Sequence, residues 1–427
     1  MEDSTNNIIK ADRTGFRPQD YINITIFGFG LAALSNSFHI IILPLLVLDL
    51  VPAAQKSTFL AMITFAGLIV GMGIQPVAGM VSDRSNLRWG RRKPYIVAGS
   101  ILSIILLFCA GYADTYVAIL IIWCLLQASS NIAQGPFQAF IPDLVPDRRR
   151  GLASGVKVLM EIVGGIALLR IIGSFMDRRL TGDSEYWLLV ALGTLAGVLL
   201  ATMLVTTFTI KERPASRIEN HPAPLSSLYT SFRIDVRKNR PFIYFLASRM
   251  FFIMALTTVQ TFGLFFFTDV VLSEKPFASA ANIFVIIGVS MLAAVYPAGR
   301  LSDRLGRRPV LFFSGVLGAA GMLVLLFLPE YWLMVAGGCV IGVAAGAFMS
   351  TSWALATDLV EQGQSARYLG LANMAMAGGA ALSRAIGPGI DYFNSRMAGM
   401  GYSFMLLVCF LYIVVSTLFL LKVKKAN

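Results

Sequence analysis

The sequence predicts an all-α membrane protein, twelve transmembrane helices in two pseudo-symmetric six-helix bundles. Three observations predict it. The 427 residues are 56% hydrophobic and only 14% charged, with a mean hydropathy of +0.72. A soluble domain carries about 25% charged residues, so most of this chain has the bilayer as its solvent. Apolar runs long enough to cross a hydrocarbon core, about 20 residues each, recur twelve times. The chain also repeats itself at an offset of 220: Asp49 matches Asp269, Gly79 matches Gly299, and Ser82-Asp83-Arg84 matches Ser302-Asp303-Arg304.

The spans fall near 21–44, 58–81, 94–112, 116–140, 151–176, 186–210, 241–268, 278–301, 309–328, 331–357, 367–390 and 401–422. They divide the chain into a polar tail (1–20), a first bundle (21–210), a linker (211–240), a second bundle (241–422) and a short tail (423–427). Pro214, Pro222 and Pro224 and a run of cations mark the linker, a composition that does not pack into a bundle. The first 20 residues lack the apolar run of a cleavable signal, so the first span is expected to serve as its own insertion signal. Cys109, Cys124, Cys339 and Cys409 all lie in apolar runs at no metal-ligand spacing and read as small buried hydrophobes.

Charge sets the orientation. The tails, the linker and the even-numbered gaps hold 26 of the 35 Lys and Arg residues, and the odd-numbered gaps hold 5. By the positive-inside rule both termini lie in the cytoplasm of a multi-pass cell-membrane protein. The net charge of +12 is therefore a topology signal, and no nucleic-acid partner is implied. The expected partners are the lipid bilayer and a small-molecule solute, and the expected state is a monomer.

The strongest motif joins the second and third spans. Gly79-Met80-Val81-Ser82-Asp83-Arg84 runs on to Gly90-Arg91-Arg92-Lys93-Pro94, and Gly299-Arg300-Leu301-Ser302-Asp303-Arg304 runs on to Gly306-Arg307-Arg308-Pro309. Further matches pair Asp143-Leu144-Val145 with Asp358-Leu359-Val360, and Arg148 with Arg367. In Gly-x-x-x-Asp-Arg-x-x-Gly-Arg-Arg the sequence resembles the major facilitator superfamily. The extra Ser85-Asn86-Leu87-Arg88 of the first copy is similar to the sucrose/proton symporters and the glycoside–pentoside–hexuronide cation symporters. The resemblance implies two parallel six-helix repeats that rock about a central pathway. It also implies a cytoplasmic gate in which Asp83, with Arg84, Arg91 and Arg92, and Asp303, with Arg304, Arg307 and Arg308, latch across the face. Asp143 with Arg148 and Asp358 with Arg367 would be the partners. Gly79 and Gly299 are expected to admit a close helix neighbour. The alternative for these cations is that they only set topology.

Charges at bilayer depth are costly and are functional candidates by default. Lys157 and Glu161 sit one turn apart on the fifth span, near the midplane by helical rise. They read either as a proton-coupling site or as a structural ion pair. Arg249 is placed about 12 Å inside the seventh span and is assigned with His39 to the coupling set. Arg170 falls on the side of its helix away from Glu161, near the outer end. Asn373, Ala377, Ala380 and Arg384 share one face of the eleventh span, and Gln127, Asn131, Gln134 and Gln138 one face of the fourth. Amides of this kind suit sugar hydroxyls, although they also bridge helices. With Asn36, Gln260 and Trp353, the residues Gln127, Asn131, Gln134, Asn373 and Arg384 form the expected solute site. Gly338, Gly342 and Gly346 form a small-residue ladder on the tenth span, and Gly387-Pro388-Gly389 is expected to break the eleventh.

The second span carries no Asp or Glu in its apolar run, unlike the sodium-coupled melibiose-type members. The expected function is a secondary transporter of a small polar solute, a sugar or glycoside, by alternating access with protons as the coupling ion and no cofactor or metal. Two alternatives stand beside it: proton-driven efflux of amphipathic compounds, and a non-transporting scaffold or receptor. No phosphate loop, metal cluster or catalytic triad spacing is present, so an enzyme is not expected.

Overall fold

The computed structural model describes residues 18–83, 85, 87, 89–146, 149–210, 212, 239–270, 274–327, 330–359 and 365–423. Arg84, Arg148 and nearly all of the 211–240 linker lie outside the described residues, and so does the side chain of Arg367. Among the described residues, eleven helices are long and apolar enough to cross a membrane: α1 (Gln19–Leu50), α2 (Ala53–Asp83), α3 (Lys93–Gly111), α4 (Tyr116–Leu144), α5 (Arg150–Thr181), α6 (Ser184–Thr209), α7 (Arg240–Val270), α8 (Pro276–Leu305), α9 (Arg307–Phe327), α10 (Tyr331–Asp358) and α12 (Met400–Lys422). The remaining span, α11, is interrupted. It runs from Ser365–Leu382 through a 3-10 turn at Ser383–Ile386 into Gly387–Arg396.

The sequence terminates these helices locally. Thr115 opens α4 by accepting the Ala118 N–H, and Asp183 opens α6 by accepting those of Glu185 and Tyr186, each satisfying amides that have no partner within their own helix. Where no local cap exists, as at Lys275 before α8, the helix must find its cap elsewhere.

The two halves pack by one plan. In the first, α1 lies on α5 and α6, α4 on α2 and α3, and α3 on α6. In the second, α7 lies on α11 and α12, α10 on α8 and α9, and α9 on α12. The glycine ladder of α10 is used as expected. A Cβ on Gly342 or Gly346 would come within 2.4 Å of the Ile287 carbonyl or 2.2 Å of the Met291 carbonyl of α8, so only glycine permits this approach. The halves meet through α2 against α11 and α5 against α8, two contacts that the pseudo-two-fold exchanges.

The two ends of the bundle differ. At the basic face, where α2 meets α3 and α8 meets α9, the motif ion pairs stay inside their own halves. Arg92 donates to Asp143 at 2.9 Å and to Ser82 Oγ at 2.9 Å, and it pairs with Asp83 at 2.6 Å. Arg91 reaches the same Asp143 oxygen at 2.6 Å, and Glu212 accepts the backbone N–H groups of Arg92 and Lys93. In the second half Arg307 binds Asp303, Asp358 (3.2 Å) and Ser302 (2.8 Å). Among the described residues, Asp83 and Asp303 each tie to an arginine of their own half in this conformation. Gly79 departs from expectation. A Cβ there would meet nothing within 4 Å. The close approach belongs to Gly135 of α4, whose Cβ would lie 2.7 Å from the Gln75 carbonyl and 3.1 Å from the Gly79 nitrogen.

At the opposite face some bonds join the halves, beside pairs inside one half such as Arg179 with Asp49 at 2.6 Å. Asp177 of α5 accepts the Phe277 and Ala278 N–H groups of α8, both at 2.9 Å. Asp391 of α11 accepts the Ser57 and Thr58 N–H groups of α2 at 3.1 and 2.7 Å, and the Thr58 hydroxyl. Lys56 pairs with Asp269 at 2.6 Å, and Arg170 donates to Asn282 of α8.

Candidate functional site

The midplane between the halves is built on two helix irregularities. Pro44 has no N–H to give the carbonyl four residues before it, and α1 answers with a wider turn over Phe38–Ile42, in which the Leu43 N–H bonds the Phe38 carbonyl. Such turns recur at functional positions. His39 sits on this turn and stacks on Trp123 of α4, ring centroids 5.8 Å apart. One turn earlier, Asn36 accepts from Gln260 Nε2 at 3.2 Å, a bond from α1 to α7 across the halves. Gly165 of α5 makes room for it, since a Cβ there would fall 2.2 Å from Asn36 Nδ2.

The second irregularity is the 3-10 turn of α11. Pro388 removes one N–H and its ring crowds the carbonyl four residues back, and Arg384 lies in the resulting break. Arg384 is buried, donates to the Ala380 carbonyl and to Ser383 Oγ, and leaves Nε without a partner. The turn that carries Arg384 packs on α7, as does the turn that carries His39. The structure thus brings Asn36, His39, Gln260 and Arg384 into one region between the halves. Asn373 is exposed and lies about three turns earlier on α11, in the Ser365–Leu382 segment.

Arg249 is fully buried in the second half. Its guanidinium lies 4.2 Å from the Trp353 ring centroid and Nη2 contacts Met376 Sδ at 2.8 Å, while Nε and Nη1 have no partner. Among the described residues no carboxylate pairs with Arg249 or Arg384. The first half differs, because Lys157 and Glu161 pair with each other at 3.1 Å, beside the Phe137 ring. Of the α4 amides, Gln127, Asn131 and Gln134 are half-buried and Gln138 is exposed. Asn131 donates to the Gln127 backbone carbonyl at 2.8 Å and lies against Gly71, turned toward α2.

Sequence reasoning missed Asp177 and Asp391, and the signal was present. Residues 164–177 and 378–391 match at an offset of 214 with eight of 14 positions identical, ending in Arg170-x-Ile172-Gly173-x-x-x-Asp177 and Arg384-x-Ile386-Gly387-x-x-x-Asp391. The offset differs from 220, so a search at a fixed offset passes over it.

The geometry is that of two helical repeats enclosing a polar centre with intramembrane charges. The family described as MFS/sugar transport protein matches residues 27–422. The chain belongs to that family, within the major facilitator superfamily. It is 26% identical over 194 residues to the general alpha-glucoside permease of Schizosaccharomyces pombe, a match covering 42% of this chain and 35% of the permease. It is 23% identical over 367 residues to the glucuronide carrier protein homolog of Escherichia coli, covering 80% of this chain and 75% of that protein. Among solved structures, the nucleoside transporter NupG superposes with a TM-score of 0.73 at 16% identity, covering 95% of this chain and 99% of that one. Its family is one of membrane transporters, and its fold is that of the solved transporter.

Proposed function

We propose that the protein is a secondary transporter that moves a small polar, sugar-like solute by alternating access, with a proton as the coupling ion. The observation that carries the reading is the polar centre where the halves meet: Asn36 and Gln260 bonded across them, with His39 and Arg384 on turns that both pack on α7. Amides offer both donors and acceptors, which is what a ring of hydroxyls requires. A site built half on each repeat can hand a solute from one face to the other as the repeats rock. Glu161 is the carboxylate assigned to the proton, and its ion pair with Lys157 would exchange for protonation. The basic face is taken as cytoplasmic from its excess of Lys and Arg, so the conformation described is the inward-open one. The second-half gate residues Arg304 and Arg308 and the first-half Arg91 and Arg92 belong to that cytoplasmic side.

One observation favours a narrower reading, a solute carrying an acidic group. Two buried guanidiniums without a described carboxylate are costly, and Arg is the residue suited to bind a carboxylate through two parallel hydrogen bonds. The experiment is uptake into proteoliposomes of two probes that differ only at one carbon, methyl glucoside and methyl glucuronide, with and without an inward acid gradient. Saturable uptake of the glucoside, accelerated by the gradient and lost in Q260A, supports the sugar–proton reading. Preference for the glucuronide, lost in R384Q, supports the acidic one. Uptake of neither probe overturns both, and uptake indifferent to the gradient overturns the coupling.

A further inference from the structure

The loop motif of the basic face is repeated, and so is the segment that closes the opposite face. Asp177 and Asp391 are each 8% exposed and lie within the helical segments Leu169–Thr181 and Gly387–Arg396. A carboxylate is favoured at the N-terminus of another helix. Each finds that N-terminus in the other half. The amides they bind, Phe277 and Ala278 in one case and Ser57 and Thr58 in the other, are themselves related by the offset of 220. Four residues before each aspartate stands a glycine on the same target. A Cβ on Gly173 would lie 2.8 Å from the Phe277 carbonyl and 3.0 Å from Ala281 Cβ, and one on Gly387 would lie 2.6 Å from the Ser57 carbonyl and 2.7 Å from Ala61 Cβ. Ala61 and Ala281 again differ by 220. The glycine sets the helices in contact and the aspartate caps the helix that lacks its own cap.

We propose that the two Arg-x-Ile-Gly-x-x-x-Asp segments, 170–177 and 384–391, form a two-fold-related lock that closes the face opposite the basic one, and that both carboxylates must leave their helix N-termini for that face to open. A carboxylate cap bridging the halves stabilises only the arrangement in which those N-termini are within reach. It therefore biases the equilibrium between conformations in a way that a bond inside one half does not. Because the caps are equivalent under the pseudo-symmetry, opening is one motion that breaks both together.

The inference rests on the alternating-access reading, and the test separates the two. Cys109, Cys124, Cys339 and Cys409 are replaced by serine, and two pairs are introduced separately at contacts between the halves away from the glycines, R170C with N282C and K56C with D269C. A short bifunctional methanethiosulfonate, which leaves a reducible link, is expected to cross-link each pair in the folded, membrane-embedded protein. Cross-linking is expected to reduce solute uptake at least tenfold, with recovery on reduction. Adding D177N and D391N is expected to slow cross-linking of both pairs at least tenfold, while D177E or D391E, which keeps the carboxylate, restores part of the rate. Gel filtration of each variant checks that it is folded. Unchanged cross-linking rates in folded D177N/D391N protein would overturn the lock, whatever the protein transports. Undiminished uptake by the cross-linked protein would overturn it as well. If no solute is found, the rate comparison still decides the lock, and only the transport reading fails.

Discussion

The two ends of this molecule use the same chemistry to different effect. At the basic face, Arg92 gathers Asp83, Asp143 and Ser82, and Arg307 gathers Asp303, Asp358 and Ser302, each within one half. At the opposite face, Asp177 and Asp391 bind helix N-termini of the other half. A bond inside a half holds that half together in every orientation of the pair. A bond between halves exists in one orientation and selects it. In the conformation described here, then, the basic-face arginines stabilise each bundle and the opposite-face aspartates choose the state.

That difference can be broken in stages. The largest effect is expected from D177N with D391N. Each carboxylate accepts two backbone N–H groups, and hydrogen bonds to a charged group are worth about 1.5–3 kcal/mol net. Losing both caps should shift the closed-to-open ratio by roughly 100-fold or more, read as the rate at which an impermeant maleimide applied from that side modifies a cysteine placed at Ser35. R92Q should act on stability instead. It removes the hub of the first-half network and is expected to lower the thermal midpoint by roughly 5 °C, leaving that labelling rate within about twofold of wild type. An R92Q protein that labels like D177N/D391N would show that the two faces are not separable in this way. G173A should open the face more mildly, since the methyl group meets a backbone carbonyl that cannot turn aside. The smallest change is expected from K56M. Lys56 and Asp269 also join the halves, but the carboxylate is about a third exposed, and such pairs contribute under about 1 kcal/mol. Labelling should rise less than fivefold.

The architecture was legible in the sequence because hydropathy and charge bias act on whole segments. Spans predicted at 58–81 and 401–422 became Ala53–Asp83 and Met400–Lys422. The eleventh span was less regular than its hydropathy suggested, because Gly387-Pro388-Gly389 converts its outer half into a 3-10 turn and a second helical segment. The site was legible in part. Asn36, His39, Gln260 and Arg384 were each visible as polar groups at bilayer depth, yet periodicity along one helix cannot say which faces of different helices meet. It grouped Asn131 with Gln134, although the Asn131 amide turns toward Gly71 of α2. The partners of Asp83 were legible only by type. A charge motif gives the types of residue that pair, while the state of the two halves decides which of them are within reach.

Distance measurement between spin labels in lipid nanodiscs tests the central claim most directly. On a background with the four cysteines replaced, one pair of labels is placed on the opposite face at Tyr112 and Trp332, and another on the basic face at Trp89 and Leu305, all exposed positions. The caps predict one compact distance for the Tyr112–Trp332 pair in the protein with both aspartates. In D177N/D391N that distance should lengthen while the Trp89–Leu305 distance shortens. Distributions that stay the same at both faces when the aspartates are removed would contradict the account.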